Sequence, residues 1–129
     1  MANYLAGRLL LPSAWFGDDA ARCGWDLIAL KILYGTASHE LIARRMLDFG
    51  PPVIMSIFDH GALYFRRGNL PGCVPPLSPA ERECWRQVHR ENLPWTTREG
   101  IHSIHGWPVH EPGWRREILR TEVEEEFDP

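Results

Sequence analysis

Two places in this 129-residue sequence carry side chains of the types that bind metal ions or transfer protons. The first is His39-Glu40, which begins like the zinc-binding motif His-Glu-x-x-His, whose two histidines share one helical face. The motif requires its second histidine one helical turn on, where this sequence has Ala43. We therefore interpret His39-Glu40 as the exposed first turn of a helix and not as a metal site.

The second place is a cluster of three histidines and a glutamate within ten residues: His102, His105, His110 and Glu111. Imidazoles and a carboxylate are zinc ligands, and such a set could leave one coordination position open. On a β-strand, however, His102 and His105 would point to opposite faces, and His110 lies beyond Pro108. We interpret the cluster as polar surface, and zinc binding by His102, His105 and His110 is the alternative.

The stretch from Asp26 to Leu47 has the pattern of a helix-turn-helix, in which Ser38 opens the second helix. In DNA-binding proteins of this type, the early residues of the second helix enter the major groove. Arg44 and Arg45 are the basic side chains of that helix and are the candidate nucleic-acid contacts, whereas Glu40 opposes an approach to phosphate. We interpret the two helices as a pair that only packs together, and DNA contact through Arg44 and Arg45 is the alternative.

The cysteines and one arginine pair have structural interpretations. The three cysteines are an odd number without a close pair, which argues against a disulfide framework and against a zinc knuckle. Cys84 lies beside Trp85 and Val88 on an apolar helix face, so we expect a buried thiol and not a nucleophile. Arg66-Arg67 ends a predicted strand and is interpreted as a solvated edge that discourages aggregation; the alternative is that the pair holds an anion or an acidic partner.

The charge distribution gives no strong electrostatic footprint for nucleic acid. The net charge is −3, but five of the 17 acidic residues lie in the final eight positions. Without that tail, 14 basic residues stand against 12 acidic ones, a balance of +2. No apolar run approaches the ~18 residues needed to span a bilayer, and the first residues lack the pattern of a signal peptide. We expect a cytoplasmic protein without membrane contact.

Periodicity and turn residues predict an α+β fold: N-terminal helices with a helix-turn-helix-like pair, then a small antiparallel sheet with one helix. Residues 1–50 form the helical part, 51–121 the hairpin, helix and further strands, and 122–129 an acidic tail. We expect one compact domain. The predicted helices are 2–11, 18–34 (or two short helices divided at Gly24), 38–49 and 78–89; the predicted strands are 53–58, 62–67, 101–107 and 115–123, with Pro94-Trp95 in a loop.

Two segments resemble the ImmA/IrrE family of metallopeptidase-like proteins. Asn3 to Pro12 (Asn-Tyr-Leu-Ala-Gly-Arg-Leu-Leu-Leu-Pro) is similar to the family's segment Ala-Asn-x-Phe-Ala-x-x-Leu-Leu-Met-Pro. Gly35 to Leu47 is similar to the following helix pair of that family, Phe-Gly-Val-Ser-x-x-Ala-Leu-x-x-Arg-Leu. The hairpin and Arg66-Arg67 suit the family's continuation, so the likeness covers roughly residues 2–70.

The resemblance implies a relative of bacterial zinc metallopeptidases, but without their chemistry. In the family, the His-Glu-x-x-His helix lies upstream of the segment that Asn3 to Pro12 resembles, and the third ligand is a glutamate that begins that segment's helix. No position here matches a ligand or a catalytic residue, so none carries over, and no cofactor is expected in this chain. We expect that the metal-binding helix is encoded upstream of Met1 or has been lost.

Three functions are consistent with the sequence. The favoured hypothesis is a non-catalytic interaction or regulatory domain, related by resemblance to proteins that sense stress or foreign elements and cleave repressors. A longer parent protein could carry that peptidase activity. The second hypothesis is a DNA-associated regulator that uses Arg44 and Arg45, and the third is an enzyme with a histidine-cluster metal site. The expected partners are a protein such as a transcriptional repressor, DNA, or a second copy paired through helix 2–11.

Overall fold

The computed structural model describes residues 10–123, and the chain divides into two compact units, Met1–Gly50 and Pro51–Pro129. The predicted α+β class is confirmed. The helix predicted over residues 2–11 lies almost entirely outside the described residues. The described helices and strands are α1 (Ser13–Arg22), α2 (Leu27–Leu33) and α3 (His39–Met46) in the first unit, and β1 (Val53–Asp59), β2 (Ala62–Gly68), α4 (Pro79–Glu91), β3 (Trp95–Glu99), β4 (His102–Pro108) and β5 (Arg116–Val123) in the second.

The segment predicted as one helix over 18–34 is two helices, as the alternative at Gly24 proposed. Gly24 and Trp25 have φ angles of 62° and 60°, and left-handed backbone cannot continue a right-handed helix. The next helix, α2, starts where the Asp26 side chain accepts a hydrogen bond from the Ala29 amide at 3.0 Å. The helix α1 begins at Ser13 and not at residue 18, and it buries the whole Phe16 side chain.

The two predicted helix caps are confirmed. The Ser38 hydroxyl accepts a hydrogen bond from the Leu41 amide at 3.0 Å and so opens α3. Ser78 and Glu81 form the full capping box at the start of α4, with Pro79 at the first helical position. Each cap satisfies amides that have no partner within their own helix, which is why these helix starts are fixed locally.

Five antiparallel strands form one sheet in the order β2-β1-β5-β4-β3. The hairpin of β1 and β2 is confirmed, and so are the two late strands. The loop predicted at Pro94-Trp95 is wrong from Trp95 onward, because Trp95 to Glu99 pairs with β4 as a fifth strand. This strand is short and lies at the sheet edge, so its sequence lacks the long apolar alternation that identifies a buried strand.

One face of the sheet packs against α4. Cys84 and Val88 of the helix meet a cluster of buried side chains contributed by three strands: Phe58, Ile104 and Leu119. Burial raises the pKa of the Cys84 thiol to about 12, which agrees with a core thiol and not with a nucleophile. None of the helices within residues 10–123 is long and apolar enough to cross a membrane.

A buried ion pair fixes α4 to the sheet. The Arg66 guanidinium donates to both carboxylate oxygens of Glu81, at 2.7 and 3.0 Å, and to the Ser56 hydroxyl at 2.8 Å. Glu81 also accepts from the Thr121 hydroxyl at 2.6 Å and from the Ser78 amide at 2.9 Å. The solvated edge predicted at Arg66-Arg67 is therefore wrong for Arg66, whose side chain is only 8% exposed. Its partner Glu81 lies 15 residues away along the chain, so the residues next to Arg66 could not predict the pair.

Substituting Gly106 tests the packing of α4. A Cβ atom at Gly106 would lie 2.7 Å from Cδ2 of Leu119 and 2.8 Å from Cγ2 of Val88. We expect Gly106→Ala to lower the free energy of unfolding by about 1–3 kcal/mol, as overpacking does. Gly35→Ala is the control, because a Cβ there meets nothing within 4 Å. Equal urea midpoints for the two variants would contradict this packing.

Acid titration of stability tests the ion pair. Burial opposes the charged form of Glu81, but the hydrogen bonds from Arg66, Ser78 and Thr121 outweigh it, so the pKa of Glu81 lies below its usual value. A lowered folded-state pKa contributes stability that is present above the unfolded pKa and is lost as pH falls through the folded one. We expect Glu81→Gln to cost about 3 kcal/mol at pH 7, since it leaves a buried cation, and the difference from wild type to shrink below about pH 4.

The control for this titration is Glu83→Gln, whose parent side chain is 55% exposed. It should unfold at nearly the wild-type urea concentration at every pH. A Glu81→Gln variant with wild-type stability at pH 7 would show that the pair contributes nothing net.

Candidate functional site

Side-chain hydrogen bonds stabilise the turn between helices α2 and α3 in the first unit. The Lys31 ammonium donates hydrogen bonds to the carbonyls of Gly35 and Ala37, at 2.9 and 2.6 Å. It thereby satisfies backbone acceptors in the turn that follows α2. The Tyr34 hydroxyl donates to Asp19 of α1 at 2.6 Å, and burial together with this bond raises the pKa of Tyr34 to about 12. These hydrogen bonds brace the turn between α2 and α3 and join it to α1.

Arg45 belongs to the interior of this unit. It is 4% exposed, and its guanidinium donates to the Leu11 carbonyl at 2.9 Å, to Asp48 at 2.6 Å and to the Ser13 hydroxyl. It also lies over the Phe49 ring, 4.8 Å from the centroid. These contacts join the start of α1 to the end of α3, so the structure assigns Arg45 a structural role.

Arg44 is the more accessible of the two predicted arginines. Its guanidinium lies 2.8 Å from the Glu40 carboxylate, and the two side chains are 25% and 17% exposed. The remaining helix is mostly interior, since five of its eight residues are buried: Leu41, Ile42, Ala43, Arg45 and Met46. The face of α3 that a ligand can reach is therefore narrow and carries one positive and one negative charge, with His39 beside them.

The structure separates the predicted histidine cluster. His102 stands opposite Glu99 at the end of β4, whereas the His105 ring packs against Trp107 at a centroid distance of 4.1 Å. Strand alternation places these two side chains on opposite faces of the sheet, as the sequence predicted. Within residues 10–123, no group of three or more His, Cys, Asp or Glu side chains is placed to hold a metal ion.

His110 instead belongs to a cluster that only the structure reveals. Its Nε2 atom lies 2.6 Å from Oε2 of Glu117, a carboxylate with no exposed surface. Oε1 of Glu117 accepts a hydrogen bond from Trp85 Nε1 at 2.8 Å. His89 Nδ1 lies 3.2 Å from the same oxygen without the alignment of a hydrogen bond. Two imidazoles and an indole thus converge on one buried carboxylate.

This cluster can orient an imidazole, which is a property of proton-transfer sites. The His110 side chain is 17% exposed, so solvent reaches it from outside while Glu117 holds it from inside. The Trp85 ring is stacked between Phe58 and His89, with centroids 5.1 and 5.0 Å away, which fixes the indole donor. The sequence signal was weak, because Trp85 and His89 precede Glu117 by 32 and 28 residues.

The comparisons with known proteins find similarity at the level of the fold. No protein-family model matches the sequence, and no curated protein matches it either. The fold is similar to that of a Mycobacterium tuberculosis transcriptional regulator, with a TM-score of 0.65 and 16% sequence identity. The alignment covers 95% of this chain and 43% of that protein, so the chain spans less than half of its relative's length. At this identity the likeness shows a shared fold.

Substituting Arg45 tests its structural role. Removal of the guanidinium would leave the Leu11 carbonyl and the Ser13 hydroxyl without their donor. We expect Arg45→Ala to lower the free energy of unfolding by about 3 kcal/mol, the range for a buried charged partner. The control is Arg22→Ala, because that side chain is 77% exposed. Circular dichroism with urea measures both, and an Arg45→Ala midpoint no lower than that of the control would contradict the assignment.

Proposed function

We propose that this chain is a non-catalytic part of a transcriptional regulator related to the ImmA/IrrE proteins. The observation that carries the proposal is the fold similarity over 95% of the chain to a transcriptional regulator. The helix pair resembles the family segment that follows the metal-binding helix. No residue of this chain matches a zinc ligand or catalytic residue of that family, which supports a regulatory role without peptidase chemistry for these residues.

Regulation through protein contacts fits the electrostatics better than broad DNA binding. The body of the chain carries a balance of only +2, and Arg44 already pairs with Glu40 at 2.8 Å. DNA binding at non-specific strength requires several basic side chains that face phosphates together. We therefore infer that a repressor or another protein of the transcription apparatus is the main partner, in keeping with the resembled family.

Direct DNA contact through α3 is the second candidate, and the braced α2–α3 turn is the observation that favours it. In this arrangement, Arg44 would contact phosphate and Glu40 would weaken the contact. Substituting Arg44 should therefore weaken DNA binding, whereas substituting Glu40 should strengthen it. A loss of folding would weaken binding in both variants.

Transcript profiles test the regulatory proposal. RNA sequencing of the native host, with the gene deleted and then restored, should show a defined set of transcripts that change and return. The regulator hypothesis would fail if transcripts were unchanged during growth and under oxidative, heat and starvation stress. Sequencing the genomic DNA just upstream tests the family relation, because an in-frame His-Glu-x-x-His segment would connect the chain to a peptidase.

Fluorescence anisotropy with labelled duplex DNA tests the second candidate. If α3 contacts phosphate, Arg44→Ala should weaken binding about tenfold and reduce the salt slope by about 1. Glu40→Gln should strengthen binding, because it removes a negative charge and releases Arg44 from its pair. The control is Arg86→Ala on α4, whose side chain is 60% exposed. Equal effects of Arg44→Ala and Arg86→Ala would exclude α3 as the DNA contact.

A further inference from the structure

The edge strand β3 differs from the other edge of the sheet. At the β2 edge, the following segment folds back, since Arg66 Nε donates to the Pro75 carbonyl at 3.0 Å and Val74 lies against Gly68. The strand β3 has β4 as its neighbour in the sheet order and ends the sheet on the other side. A strand in this position directs backbone N–H and C=O groups outward, which is the template for adding another strand.

Exposed apolar side chains surround this edge. Leu93 is 61% exposed, Trp95 42% and Ile101 36%, and all three lie in the strand or within two residues of its ends. Trp95 pairs with Gly106, the residue that packs against α4, so Trp95 lies on the same side of the sheet as that helix. Burying these side chains would be favourable by about 25 cal/mol per Å² of apolar surface.

We propose that β3 pairs antiparallel with β3 of a second copy of this chain, about a two-fold axis through Thr97. A two-fold axis normal to the sheet keeps both copies of α4 on one side, so each strand residue must face a residue of the same parity. Of the registers that satisfy this condition, the one centred on Thr97 pairs all five residues, Trp95 to Glu99. The two sheets then join into one of ten strands.

The side chains are self-complementary in this register. Leu93 lies four residues before Thr97 and Ile101 four residues after it. The two-fold axis therefore places Leu93 of one copy at the same end of the strand pair as Ile101 of the other copy. Thr97 faces its own copy, a favourable pair between β-branched side chains. Arg98 stands opposite Thr96 of the partner copy, so no like charges are directly opposed. A shift of the axis to Arg98 would oppose two arginines and leave residues unpaired.

The size of the contact sets its strength. A standard stable interface buries about 1,600 Å² in total. One five-residue strand and three partly exposed apolar side chains from each copy bury less than that. We therefore expect a reversible dimer with a dissociation constant between about 1 μM and 1 mM, which would be visible as a concentration-dependent sedimentation coefficient.

Sedimentation velocity with a charged substitution tests the interface. Thr96 is exposed on β3, and in the proposed register it faces Arg98 of the partner copy. Thr96→Lys should therefore weaken association at least tenfold, because it opposes like charges twice per dimer. The matched control is Ala62→Lys, an exposed position on the opposite edge strand, which should leave the dimer intact. A monomeric wild type at millimolar concentration, or equal effects of the two lysines, would overturn the proposal.

Disulfide trapping tests the register in a background where Cys23 and Cys73 are replaced by serine. Thr97→Cys should cross-link rapidly under mild oxidation, because directly opposed residues have Cα atoms about 4.5–5.5 Å apart, within the range of a disulfide. Thr96→Cys is the control, since the two copies of that residue are offset by two positions and lie beyond about 7 Å. Faster trapping at Thr96 than at Thr97, or trapping at neither, would overturn the register.

Discussion

The second unit depends on one buried ion pair, between Arg66 of β2 and Glu81 of α4. Arg66 also bonds Ser56 of β1, and Glu81 bonds Thr121 of β5, so a single pair of charges ties three strands to the helix. Because the Glu81 carboxylate also closes the capping box at Ser78, the helix cannot start elsewhere without losing the pair. A buried charge is tolerated here because both carboxylate oxygens and the Arg66 guanidinium have several partners.

Buried charged side chains with hydrogen-bond partners occur in both units, and their burial reduces the charge left on the surface. In the first unit, Arg45 donates hydrogen bonds to Leu11 and Asp48. In the second unit, the buried Glu117 carboxylate binds the side chains of Trp85 and His110. Charges committed to the interior do not attract phosphate. Of the two arginines on α3, Arg45 is interior and Arg44 pairs with Glu40, which is why this helix presents little positive surface.

The proposed regulatory role and the proposed β3 pairing rest on different observations. The fold similarity concerns the backbone arrangement that the chain shares with a transcriptional regulator, whereas the β3 edge concerns how two copies meet. A weak dimer would allow protein concentration to control assembly. The buried Glu117 cluster lies on the helix-covered side of the same sheet, next to the C-terminal end of α4.

Local signals in the sequence determined the helix starts at Ser38 and Ser78, the break at Gly24 and the hairpin, because caps and turns act within about four residues. They also showed that His102 and His105 could not share a face. Tertiary structure alone decided that Trp95 begins a strand and that Arg66, Arg45 and Glu117 are interior. Apart from Asp48, which lies three residues from Arg45, the partners of these three side chains lie 7 to 34 residues away along the chain, and only the folded chain brings such distant groups together.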